Sequence, residues 1–146
     1  MNQVTVTWLR ADDRFEATGT HAGQTIVINA PHEGPASGFS AKELLLASLG
    51  SCSAWDVVQI LNKQRQKLQG VVATVTGEQD AEPPWAYRRI EIRYEITGSG
   101  LRPRLVDRAV RLSVERYCSV IATVRGVAEV TWSVDVRDEA VPAGKA

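Results

Sequence analysis

Two cysteines are the residues of this 146-residue chain whose type is best suited to chemistry. Cys52 lies in the middle of a long apolar stretch with helical spacing, and Cys118 stands at the start of a short helical pattern. A helix start would help to lower the pKa of the Cys118 thiol, whereas Cys52 would need a nearby cation. Free cysteines are also common as small buried hydrophobes, so a catalytic pair and two structural residues are both open on spacing alone.

Two carboxylates share the predicted helix with Cys52. Asp56 follows Cys52 by one turn, and a carboxylate in an apolar run must be paired or must line a polar cavity. Pairing with an arginine and a plain surface position are both open for Asp56. Glu43 forms a capping box with Ser40, in which each residue satisfies a backbone amide of the other. Glu43 is therefore first a capping residue, and a role at a thiol site is the alternative.

A long helix must position these residues, and it is the most prominent element of the sequence. Its pattern runs from Gly38 to Gln66 and is apolar on nearly all sides, which is typical of a helix covered on more than one face. Strands are predicted at residues 3–9, 14–18, 25–29, 71–79, 87–97 and 128–136, and further helices at 102–117 and 118–125.

This order of elements predicts one α+β domain over residues 1–137, followed by a flexible tail at 138–146. One small sheet is too little to cover an apolar helix of this length. We therefore expect a homodimer in which two central helices pack together between the sheets.

Composition limits the possible partners. The chain has 17 basic and 17 acidic residues, so no net field attracts nucleic acid or an anionic membrane. No stretch is expected to reach the roughly 18 or more apolar residues of a membrane span, and no signal peptide is predicted. A cytoplasmic location follows. Two histidines without metal-ligand spacing argue against a metal site.

The segment GPASGFSAKELLLASLGSCSAWDVVQILNKQRQ, together with YCSV at residues 117–120, resembles the OsmC/Ohr family of osmotically induced and organic-hydroperoxide-resistance proteins. The resemblance extends from the loop before the central helix to the last strand, and both cysteines stand where the family places its two. It implies the OsmC-like fold, in which antiparallel sheets wrap around a long buried helix. It also implies an intertwined homodimer with active sites at the subunit interface.

The resemblance further implies a role for each thiol. Cys52 would be the peroxidatic residue, oxidised to a sulfenic acid by a hydroperoxide, and Cys118 the resolving residue that forms a disulfide with it. A dithiol reductant would restore both thiols, without any cofactor.

The peroxidases of the family also use an arginine from the N-terminal hairpin and a glutamate from the first turn of the central helix. Arg14 is the candidate for the arginine, with Arg10 as the alternative, and Glu43 is the candidate for the glutamate. Counted back from Cys52, the glutamate position of the family falls on Lys42, one residue before Glu43.

The predicted function is thus a thiol-dependent reductase of organic hydroperoxides that acts in defence against oxidative stress. The alternative is a non-catalytic OsmC-like dimer that binds a small apolar ligand or senses redox state through its cysteine pair.

Overall fold

The chain divides within its long helix into two units, Met1–Leu45 and Leu46–Ala146. The structure is a computed structural model, and it describes residues 1–20, 23–29 and 38–139. Most of the predicted tail at 138–146 lies outside these residues.

The first unit contains a three-stranded antiparallel sheet in the order β1-β2-β3. Its strands are Val4–Leu9, Arg14–Gly19 and Thr25–Asn29, close to the predicted ranges. The register pairs Val4 with Gly19 and Leu9 with Arg14. This pairing places Arg14 at the start of β2, directly after the first hairpin turn.

The long helix α1 spans Ala41–Lys63 and begins at the predicted capping box. The Ser40 amide donates to a Glu43 carboxylate oxygen at 2.8 Å, and the Glu43 amide donates to the Ser40 hydroxyl at 3.1 Å. The helix ends where Arg65 adopts a left-handed conformation with φ 56°. The Gln66 amide then donates back to the Leu61 carbonyl at 3.0 Å, which is the Schellman pattern of a helix C-terminus.

The second unit contains another three-stranded sheet in the order β4-β5-β6, formed by Lys67–Gln79, Tyr87–Ser99 and Glu129–Asp138. Strands β4 and β5 form an antiparallel pair, whereas β6 runs parallel to β5. The parallel pair is possible because a helical crossover connects β5 to β6.

That crossover consists of α2, Pro103–Leu112, a π-helical turn at Ser113–Tyr117, and α3, Ser119–Val124. The sequence predicts one continuous helix over 102–117. The last five residues of that range form the π turn instead, and Cys118 is the residue that joins this turn to α3. Single π turns are rare in proteins, and many of those that occur lie at functional sites.

The core of the second unit lies between the sheet and the helices. Strand β5 alternates as predicted, because Ile90, Ile92, Tyr94 and Ile96 are buried while the charged residues between them face outward. Helix α1 contributes Leu49, Gly50, Ser53, Val57 and Leu61, whose spacing marks one helix face. Helix α2 adds Val106, Ala109 and Val110. Cys118 belongs to the same core.

A large part of α1 is left uncovered by the single chain. Trp55 is 63% exposed, and only 28% of the most apolar 18-residue window of α1 is buried. By length and composition this helix could cross a membrane, which corrects the expectation that no stretch approaches such a span. The core helix of a soluble protein meets the same criterion.

Candidate active site

The structure brings the two cysteines together. Cys52 lies on α1 and is half-buried, whereas Cys118 is 3% exposed, and both are free thiols. The two side chains lie close enough to interact, because a hydrogen-bonding interaction with Cys52 is one of the causes that raise the pKa of Cys118. The pair is thus a contact between α1 and the turn that follows α2, two elements far apart in the sequence.

The Cys118 thiol is held in its protonated form. Burial and then the hydrogen bond with Cys52 raise the pKa of Cys118 from its ordinary value of 9.0 to about 11. The Ile121 amide donates to the sulfur at 3.4 Å and lowers this pKa, as expected for a residue at a helix start. The expected help from the helix start is therefore present, but burial outweighs it and the pKa of Cys118 is raised overall.

A chain of buried hydroxyl groups lies beside the cysteines. The Tyr94 hydroxyl donates to Ser53 Oγ at 2.7 Å, and Ser53 Oγ in turn donates to the Leu49 carbonyl at 2.8 Å. Ser113 Oγ lies 3.0 Å from the Ser53 carbonyl and 3.1 Å from Asp56 Oδ2. Ser53 and Ser113 are fully buried. These contacts connect β5, α1 and the π turn through polar groups that find their partners inside the core.

Tyr94 places this hydroxyl chain within electrostatic range of the thiols. Burial raises the pKa of Tyr94 to about 12, and the hydrogen bond to Ser53 opposes that rise. Negative charge on Cys118, Asp56 or Cys52 raises it further. The phenol is therefore neutral at physiological pH and acts as a hydrogen-bond donor in the core.

Asp56 lines a cavity, which is one of the environments that the sequence requires of a carboxylate in an apolar run. It is half-buried, it accepts a hydrogen bond from Ser113, and it takes part in none of the ion pairs found within the described residues. The cavity that it lines has a volume of about 600 Å³. The other residues that line this cavity are Gln59, Ile60, Lys63, Gln64, Leu112 and Tyr117.

Glu43 and Arg14 belong to the first unit, and their part in the thiol site stays a prediction. Hydrogen bonds from the Ser40 amide and hydroxyl lower the pKa of Glu43, so this carboxylate is ionised and serves as a cap. Arg14 Nη2 pairs with Glu16 at 3.0 Å. Arg14 Nε is buried and finds no hydrogen-bond partner in the described part of the chain.

Sequence reasoning missed Ser53, Tyr94 and Ser113 as a connected group. The apolar patterns place Tyr94 and Ser113 on buried faces, and a hydroxyl there must find a partner. That requirement was a usable signal, but it does not say which hydroxyl meets which. Within residues 1–20, 23–29 and 38–139, no group of three or more potential ligands could hold a metal ion.

Comparison with known proteins identifies the family. A family model described as "OsmC-like protein" matches residues 34–133. The chain belongs to the OsmC-like family. Protein YhfA of Escherichia coli is 38% identical over 97 residues, which are 66% of this chain and 72% of that relative.

Solved structures of OsmC-like proteins have the same fold. The OsmC-like protein of Mycoplasma pneumoniae aligns with a TM-score of 0.81 at 18% identity, over 94% of this chain and 97% of that one. A protein of Legionella pneumophila, named an organic hydroperoxide resistance protein OsmC and predicted redox protein, aligns with a TM-score of 0.69 at 18% identity. This second alignment covers 93% of this chain and 97% of that one. The predicted α+β fold of the OsmC type is confirmed.

Proposed function

We propose that this chain is a thiol-dependent hydroperoxide reductase, with Cys52 as the peroxidatic and Cys118 as the resolving cysteine. The observation that carries the proposal is the proximity of these two free thiols, which interact closely enough to shift the pKa of Cys118, in a member of the OsmC-like family. Thiols that already interact need less movement to close to a disulfide than widely separated cysteines do. The name of the Legionella relative, an organic hydroperoxide resistance protein, supports the substrate class.

The proposed reaction has two steps. The Cys52 thiolate attacks the outer oxygen of a hydroperoxide ROOH, the O–O bond breaks, and the leaving alkoxide takes a proton to become the alcohol ROH. Cys52 is then a sulfenic acid. The Cys118 sulfur attacks it, the S–O bond breaks, and the hydroxyl leaves as water with the Cys118 proton. A dithiol reductant reopens the Cys52–Cys118 disulfide by two exchanges and is itself oxidised.

The environments of the two sulfurs support this division of roles. A peroxide must reach a thiolate, and Cys118 is 3% exposed with a pKa of about 11. Cys52 is the more accessible of the two. A protonated, buried Cys118 suits the second step, because its target is the neighbouring Cys52 and no molecule has to enter from solvent.

Arg14 and Glu43 are proposed to support the first step. Arg14 Nε is a buried donor without a partner in the described residues, and such a group gains when an anion or an oxygen acceptor arrives. Glu43 is ionised and could orient an arginine. We propose that Arg14 holds the Cys52 thiolate and the peroxide, and that Glu43 positions the guanidinium.

The active form is proposed to be a cytoplasmic homodimer that acts in defence against oxidative stress. Support for the dimer comes from the apolar surface of α1 that one chain leaves uncovered. The equal numbers of acidic and basic residues agree with a protein that binds neither nucleic acid nor an anionic membrane.

The test is consumption of cumene hydroperoxide by the purified protein with dithiothreitol as the reductant. Cys52→Ser is expected to abolish turnover. Cys118→Ser is expected to keep one rapid oxidation of Cys52 and to lose most of the steady-state rate. Ser51→Ala is the matched control, because Ser51 is an exposed neighbour on α1 whose hydroxyl donates, among the described residues, to the Ser48 carbonyl alone, at 3.4 Å.

Three results would contradict the proposal. No turnover of any organic hydroperoxide by the wild-type protein with dithiol reductants would exclude the enzyme. Oxidation to the disulfide without repeated turnover would instead favour the redox-sensing alternative. An apolar molecule that co-purifies with a protein whose thiols do not react with hydroperoxides would favour the binding alternative.

A further inference from the structure

We propose that Ser113, together with its acceptor Asp56, is the positioning residue that holds the resolving thiol of Cys118 in line with Cys52. The proposal rests on the proposed function and adds residues to the second step of the reaction. Neither Ser113 nor Asp56 touches the peroxide. They act through the backbone that carries Cys118.

Ser113 is linked to both partners of the disulfide. Its carbonyl accepts the Cys118 backbone amide at 2.9 Å, so Ser113 fixes the main chain at the resolving cysteine. Its hydroxyl reaches α1 at the Ser53 carbonyl, 3.0 Å away, and at Asp56 Oδ2, 3.1 Å away. Ser53 is the residue after Cys52, and Asp56 follows Cys52 by one turn. A single side chain thus ties the segments that carry the two sulfurs.

The π turn explains why such a link is needed. Residues 113–117 lack the regular α-helical hydrogen bonding that would by itself fix the position of Cys118. The hydrogen bond from the Cys118 amide to Ser113 closes this turn. Without the Ser113 hydroxyl, the turn keeps its own hydrogen bonds and loses the polar contact with α1. A small displacement then suffices to spoil the alignment that disulfide formation requires.

Asp56 is the second acceptor for the Ser113 hydroxyl, beside the Ser53 carbonyl. A carboxylate can only accept, so the hydroxyl hydrogen of Ser113 has an acceptor on α1 at each of its two contacts. Asparagine at this position keeps an oxygen that can accept and removes the charge. Asp56→Asn therefore separates geometry from charge, and a positioning role predicts that it behaves like the wild type.

The decisive experiment follows the two steps separately after one equivalent of cumene hydroperoxide. Rapid quenching with dimedone and mass spectrometry report the Cys52 sulfenic acid, the Cys52–Cys118 disulfide and the over-oxidised sulfinic acid. Ser113→Ala is expected to oxidise Cys52 within about twofold of the wild-type rate and to form the disulfide about tenfold more slowly. In a parallel reaction with excess peroxide, the longer-lived sulfenic acid of this variant is expected to be over-oxidised to the sulfinic acid.

Three further variants control the result. Asp56→Ala is expected to slow the disulfide step, as Ser113→Ala does. Because the Asp56 side chain faces a cavity, this substitution disturbs the core less, and it tests the proposal even if Ser113→Ala fails to fold. Asp56→Asn is expected to form the disulfide at a rate within about threefold of the wild type, unlike Asp56→Ala. Ser51→Ala removes a hydroxyl from α1 outside this group and should change neither step.

Oxidation by diamide tests disulfide formation without any peroxide. Diamide oxidises a thiol pair to the disulfide through an adduct on the first sulfur, which the second thiol displaces, while the reagent is reduced to its hydrazine. Slower closure in Ser113→Ala with diamide supports positioning even if the wild type ignores peroxides, in which case the proposed function alone fails. Equal closure rates in Ser113→Ala and the wild type, or equal slowing of both steps, would overturn the proposal.

Discussion

Cys52 and Cys118 are the same residue type, and their surroundings give them different chemistry. The favourable effect of a helix start on a thiolate is worth about 0.3–1 kcal/mol near a surface. Burial of an ionisable group shifts its pKa by up to several units, which is the larger effect. Cys118 stands at a helix start and is also buried, and its pKa is raised to about 11 because the effect of burial is the larger. The sequence shows the position at the helix start but not the depth of burial.

The raised pKa of Cys118 predicts how stability depends on pH. The folded state favours the protonated thiol, so this contribution is complete below pH 9 and is lost as pH rises through about 11. We expect the free energy of unfolding to fall across this window by no more than about 3 kcal/mol. Urea titrations of the wild type and of Cys118→Ala would measure the difference.

Tyr94 also makes the free energy of unfolding depend on pH in the alkaline range. Its pKa is also raised, to about 12, so its contribution is lost at higher pH in both proteins. Cys118→Ala should therefore flatten the curve between pH 9 and 10 and make the fall between pH 10 and 12 shallower, because Tyr94 alone still contributes there. Identical curves for the two proteins would show that Cys118 is not the group that titrates.

Glu43 combines a structural role with a proposed catalytic one, and Glu43→Gln separates them. Glutamine also completes a capping box, so the free energy of unfolding should stay close to that of the wild type. If Glu43 positions an arginine by its charge, turnover of cumene hydroperoxide should fall by about tenfold or more. Unchanged turnover in a stable variant would leave Glu43 as a cap only.

At the scale of elements, local signals predicted most of the fold. The alternation in β5, the capping box of α1 and the apolar spacing of α2 are each encoded within a few turns or residues. The parallel pairing of β6 and the π turn were not predictable in this way. Strand direction depends on the path of the crossover, and a π turn differs from an α-helix by a shift of hydrogen bonds that apolar spacing does not record.

Gly50 tests how closely α1 approaches β4. A methyl group built on Gly50 would lie 2.9 Å from Val75 Cγ2. Alanine gains about 1 kcal/mol in helix propensity, and overpacking costs about 1–3 kcal/mol. We expect Gly50→Ala to be destabilised by about 1 kcal/mol in thermal or urea unfolding.

Val75→Ala provides the matched partner for that variant. In the Val75→Ala background the contact is removed, so adding Gly50→Ala should be neutral or stabilising. A Gly50→Ala protein more stable than the wild type would mean that α1 and β4 can separate without cost.

At the scale of the whole molecule, the uncovered surface of α1 is the feature that one chain does not explain. Trp55 and the other exposed apolar residues of the helix favour burial against a second copy. Sedimentation at micromolar concentration is expected to show a dimer, and Trp55→Lys is expected to weaken it by at least about tenfold. A stable wild-type monomer would refute the dimer.

In the proposed reaction, the surroundings of Cys118 would make a Cys52–Cys118 disulfide slow to reduce. A reductant that attacks Cys52 must expel Cys118, and a thiol with a pKa of about 11 is a poor leaving group. Attack on Cys118 would expel Cys52 instead, but Cys118 is 3% exposed. Both routes are therefore slow for a bulky thiol. A disulfide between these two residues would persist after the peroxide is consumed. Its lifetime would depend on how quickly a small or well-fitted dithiol reduces it.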